Sequence, residues 1–101
     1  MELVEQEMPI TNYCSQTVWL SFGPIAHLAL LGAFDFSDIQ FRIKQAIKKP
    51  TYVFAKEEKE IYTRPFGTAW LAVHVTVCED RRDIHEIELI TTPTPGVWND
   101  Y

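Results

Sequence analysis

The sequence predicts an α+β domain, with two N-terminal helices packed on one face of a four-stranded antiparallel sheet that runs as a meander. Three observations lead there. An amphipathic segment with helix-start and helix-stop signals ends at Pro50, the apolar period then drops from helical to alternating, and four alternating runs follow with short turns between them. The chain has 101 residues, 47% apolar and 13% aromatic, enough for one domain with its own core. That composition excludes a disordered chain, and no apolar run approaches the ~20 residues of a spanning helix. Residues 1–101 read as a single domain without repeat or linker, with residues 1–10 and 96–101 as flexible tails.

Taken in order, the acidic first ten residues carry no periodic pattern, and residues 17–22 are too short a run for periodicity to choose between strand and helix. Pro24 suits a first helical turn, and residues 25–31 make an apolar helix that Gly32 ends, with His27 its single polar residue. Ser37 and Gln40 have the spacing of a capping box for the second helix. Ile39, Ile43, Ala46 and Ile47 form one apolar stripe along it, with Arg42, Lys44 and Gln45 on the wet side. Pro50 stops the helix by pushing Lys49 out of the α region. Strands are then expected at 51–55, 60–64, 68–78 and 84–91, joined by a charged turn at 56–59, a Pro-Phe-Gly turn at 65–67 and a solvated loop at 79–83. In the third, Leu71, Val73, Val75 and Val77 share one face, while Trp70, Ala72, His74, Thr76 and Cys78 share the other. In the last, Ile87 and Leu89 point inward, Glu86 and Glu88 outward, and Pro93 and Pro95 break the ladder.

Nine basic residues against fourteen acidic ones give a formal charge of −5, which disfavours a nucleic-acid partner without excluding it. The bases are unevenly spread, gathering at Arg42, Lys44, Lys48, Lys49, Lys56, Lys59 and Arg64. Met1 is followed by Glu2, Glu5 and Glu7, the wrong charge for a targeting segment, and the chain is expected in the cytoplasm with no membrane association. Cys14 and Cys78 lie far apart with no CxxC spacing, so they read as half-buried free thiols of a reducing compartment. Three histidines without ligand spacing predict no metal site, and no cofactor is implied. P-loop, GxSxG, HExxH and dinucleotide fingerprints are all missing.

Candidate chemistry gathers on the sheet face turned away from the helices. His74, Trp70 and Thr76 belong there with Glu86 and Glu88, and Arg64 ends the preceding strand on a face that register decides. Imidazole, carboxylate and guanidinium together suit acid–base work at a phosphodiester. The plainer reading pairs His74 with Glu86 or Glu88 across the ladder as a sheet stabiliser. His27 is either a satisfied core histidine or a general acid–base group, and Trp70 either packs or stacks on a base. Thr91 and Thr92 offer hydroxyls to a phosphate or to backbone groups where the last strand stops.

The order of these residues has a family likeness. His27 comes first; then Phe36-Ser37-Asp38-Ile39 opens a helix, Ile47-Lys48-Lys49-Pro50 leads into a strand, and Ile61-Tyr62-Thr63-Arg64 follows. The apolar strand at 70–77 and a last strand ending Ile90-Thr91-Thr92 complete the pattern. It resembles the barnase–EndoU–colicin–RelE-like nuclease superfamily, especially its phage and mobile-element branches, from His27 to Thr92. The resemblance implies metal-independent RNA cleavage, with His27 as the early histidine, Arg64 as the strand-end basic residue, and Thr91 or Thr92 as the terminal hydroxyl. It departs from that pattern where Leu28-Ala29-Leu30-Leu31 stands in place of basic residues. The alternative expectation is a catalytically silent domain that binds a protein through the open sheet face, since fold does not fix function.

Overall fold

Three tight hairpins build most of the molecule. In the computed structural model, which describes residues 7–21, 23 and 36–92, strands β3 (Tyr52–Lys56), β4 (Lys59–Phe66), β5 (Ala69–Cys78) and β6 (Arg81–Ile90) pair successively and antiparallel. Each turn holds two residues, closed by the pairs Lys56↔Lys59, Phe66↔Ala69 and Cys78↔Arg81. Such short loops need left-handed backbone. Glu57, Gly67, Glu79 and Asp80 supply it with φ of 55°, 62°, 48° and 67°. The strands therefore run further into the charged segments than alternation of apolar residues predicts. Pro65 is tolerated inside β4 because β3 has already ended, its first residue Tyr52 pairing Thr63, so no neighbour on that side wants an amide proton.

The predicted architecture of two helices on a four-stranded antiparallel sheet is wrong. Among the described residues the sheet has six strands in the order β1-β2-β6-β5-β4-β3, where β1 is Met8–Thr11 and β2 is Thr17–Leu20. It is mixed: β1 and β2 form an antiparallel hairpin, and β2 then lies parallel to β6 through Val18↔Arg82 and Trp19↔Asp83. Residues 8–10, expected in a loose tail, are thus a strand. The physical reason is burial: Ile10, Val18 and Leu20 alternate with outward residues and are no more than 2% exposed. The tip of that hairpin is folded by Asn12, whose Oδ1 accepts from the backbone amides of Cys14 (2.9 Å) and Gln16 (2.8 Å). Ser15 completes the turn with φ 63°.

Helix α1 (Phe36–Lys48) packs on this sheet, and the predicted helix at 25–31 lies outside the described residues. Its stripe of Ile39, Ile43, Ala46 and Ile47 is fully buried. They form one core cluster with Tyr62, Leu71, Val73, Val75, Ile84 and Ile87 on one face of the sheet. Fully burying each of the three isoleucines contributes about 1.5–3 kcal/mol, and that burial holds the helix on the sheet. The Gln40 side-chain amide donates to Met8 Sδ at 3.4 Å, tying α1 to β1. Among the described residues no helix is long and apolar enough to cross a membrane.

Candidate functional site

Register decides where chemistry can gather. Arg64 pairs with Leu71, a core residue under α1, whereas His74 pairs with Ile61 across β4 and with Glu86 across β6. An odd separation along one ladder places the two on opposite faces. The structure therefore divides the guanidinium from the imidazole and yields two separate groups of side chains.

On the helix side, the C-terminal half of α1 and the β4–β5 hairpin enclose a cleft of about 270 Å³ lined by Phe41, Arg42, Gln45, Arg64, Phe66 and Leu71. The Arg64 guanidinium donates to the carbonyl of Lys49, which fixes its direction at the helix end. Arg42 lies with its guanidinium 5.0 Å from the centre of the Phe66 ring and is 3.8 Å from Asp38 one turn earlier. Thr91 and Thr92 follow directly on β6 and are exposed. Ile90 pairs with Trp70, so the two threonines stand at the same end of the sheet as Arg64. His27 lies outside the described residues.

The second face divides into an apolar and a polar part. Ile61, Thr63 and Ala72 are buried there, so this face is not simply open to water. Tyr52, half exposed, packs at a tilt against Trp70, with ring centres 5.8 Å apart, and against Phe54 at 6.3 Å. Further along, a β-bulge changes the phase of β6. His74 faces Glu86, Val75 faces Ile84, and His85 is the extra residue between them. Both Ile84 and Ile87 consequently reach the core, while His85 and Glu86 both turn outward.

That bulge crowds one spot on the second face. His74 Nε2 stands 2.7 Å from Glu88 Oε1 on the diagonal and 3.9 Å from Glu86 Oε2 directly across. The His74 ring is mostly buried and the two carboxylates are about half exposed. His85 Nδ1 shares a hydrogen bond of 2.8 Å with the Thr76 hydroxyl, and its ring centre is 6.0 Å from that of His74. Burial pushes the His85 imidazole pKa down, and the His74 charge beside it and Lys59 add to that, with Glu86 opposing.

Sequence reasoning missed Arg42 and Gln45 as cleft residues, having set them on the wet side of the helix. It also missed His85. The signal for His85 was present, because Ile84 and Ile87 are three apart inside an otherwise alternating strand, the mark of a bulge. Cys14 and Cys78, expected half buried, are both exposed free thiols. No family model, curated protein or solved structure matches this chain.

Proposed function

We propose that this chain is a metal-independent RNA-cleaving domain that takes a backbone phosphate into the cleft between α1 and the β4–β5 hairpin. The observation that carries the reading is that two guanidinium groups, Arg42 and Arg64, line one cleft in a chain of formal charge −5. Guanidinium forks match phosphate oxygens, and the aromatic rings of Phe41 and Phe66 line the cleft beside them. In this reading Arg64 stabilises the charge that grows on the phosphoryl oxygens, and Thr91 hydrogen-bonds the phosphate from the end of the last strand. His27, by the family resemblance, takes the proton of the attacking 2′-hydroxyl. The P–O2′ bond forms as the P–O5′ bond breaks, and the leaving 5′ oxygen takes a proton from water. His74 has no part in this step, since it sits on the other face.

Cleavage of single-stranded and structured RNA in EDTA tests the reading directly. Wild type should cut; Arg64→Ala and His27→Ala, each confirmed folded by circular dichroism, should lose on the order of 100-fold in rate. Arg42→Ala should weaken binding and leave it less salt-dependent than wild type, because one fewer phosphate charge is neutralised. Cleavage undiminished in both Arg64→Ala and His27→Ala overturns the assignment, and absence of cleavage across the RNA panel overturns the activity. A second reading, a silent domain that binds a protein partner, is favoured by the Tyr52–Trp70 pair on the second face. There, loss of a partner on Tyr52→Ser would go with an intact cleft.

A further inference from the structure

We propose that His74, Glu86 and Glu88 form a binding site for a divalent first-row transition ion of the zinc class. The three side chains each offer one donor atom, and these atoms all lie within 4.8 Å of one another. Nitrogen and oxygen donors at about 2.1 Å from a tetrahedral zinc are about 3.4 Å apart. The two distances from His74 Nε2, 2.7 Å and 3.9 Å, bracket that spacing, so small side-chain rotations bring both carboxylate oxygens to ligand positions. The site rests on adjacent, paired strands rather than on a loop, with the ring already largely out of water.

Charge points the same way. Glu86 and Glu88 project from one face of β6 two residues apart, and His74 is the sole ion-pair partner of either among the described residues. Two carboxylates facing one imidazole leave negative charge that a dication cancels. An imidazole in the donor set selects zinc-like ions over magnesium and calcium, which prefer oxygen alone. Three protein ligands leave a fourth tetrahedral position to water, the pattern of an open rather than a sealed site. The site stands on the opposite face from the Arg42–Arg64 cleft and is independent of the RNA reading. Cleavage in EDTA and ion binding can therefore each fail alone.

The test is calorimetric titration of the full chain with zinc chloride near pH 7.5. It is done in a Cys14→Ser, Cys78→Ser background, because both thiols are exposed and would bind zinc themselves. One ion per chain is expected, accompanied by a rise in Tm. Glu88→Gln and His74→Gln should each weaken binding at least tenfold and remove the Tm rise, and millimolar magnesium should not compete. Glu88→Gln keeps the size and hydrogen-bonding ability of the side chain and serves as the check should His74→Gln fold poorly. Affinity unchanged in Glu88→Gln, or no binding by the parent chain at millimolar zinc, overturns the site.

Discussion

Two polar clusters sit on opposite faces of the same sheet, and they are built on different principles. On the helix side, Asn12 at the β1–β2 tip donates to the Tyr62 hydroxyl (3.0 Å), which donates to Glu60 Oε1 (2.9 Å), which also accepts from Arg82 Nε (3.2 Å). Tyr62 is wholly buried, Asn12 nearly so, and Glu60 and Arg82 are each 16% exposed. The Asn12 amide and the Tyr62 hydroxyl each have an acceptor here, and burial keeps the phenol proton in place by raising its pKa far above the usual range. On the second face, the His74–Glu86–Glu88 group leaves its carboxylates half in water and short of positive charge. A satisfied buried chain specifies structure, whereas an unbalanced, half-exposed one is free to meet a ligand. Loss of stability should therefore concentrate in the first cluster and loss of binding in the second.

Asn12→Ala should break the comparison most forcefully. It removes two donated bonds, to Gln16 Oε1 (3.1 Å) and Tyr62, and the acceptor of two backbone amides, so the hairpin tip loses its frame while the Tyr62 hydroxyl loses a donor. A loss of roughly 2–4 kcal/mol in urea unfolding is expected, with Tm falling on the order of 10 °C. A loss under about 0.5 kcal/mol would mean that this network is not structural. Tyr62→Phe is the milder cut. The ring stays in the core, but Asn12 Nδ2 and Glu60 each lose one partner, at a cost of about 1–2 kcal/mol. Unchanged unfolding in that variant would show that water replaces the hydroxyl.

The same contrast explains what the sequence disclosed. Stripes and alternations longer than about eight residues were legible: Ile39, Ile43, Ala46 and Ile47 on α1, and the inward Leu71, Val73 and Val75 of β5, stand where their periods put them. The four-residue strands β1 and β2 carried no such period. Their place beside β6 depends on pairing across more than sixty positions, which no local pattern records. The face of Arg64 turned on a single residue of register. Reading 65–67 as the turn leaves it open, whereas a two-residue turn at Gly67 and Thr68 pairs Arg64 with Leu71 and sends it toward α1. His74, Glu86 and Glu88 could be placed on one face from alternation alone, but their approach needed the bulge at His85, a one-residue irregularity inside a strand.

His85 gives the smallest effect and sharpens the comparison from the pH side. Its pKa is lowered in the folded chain, first by burial, then by the charge of His74, while Thr76, Glu86 and Lys59 complete its surroundings. The unfolded chain therefore takes up the proton first, at about pH 6.5. Between that value and the lower folded one the unfolded state binds more protons, so stability rises with pH across the interval. The contribution is complete above the unfolded value and disappears as pH falls through the folded one. His85→Gln, which keeps a partner for the Thr76 hydroxyl, should lose less stability than wild type on going from pH 7.5 to 5.5. Urea midpoints along that pH series measure it, and the buried chain around Tyr62 should leave the difference untouched in a Tyr62→Phe background. Parallel profiles for wild type and His85→Gln would show that the imidazole is as free in the folded chain as in the unfolded one, and that the bulge positions it without changing its proton affinity.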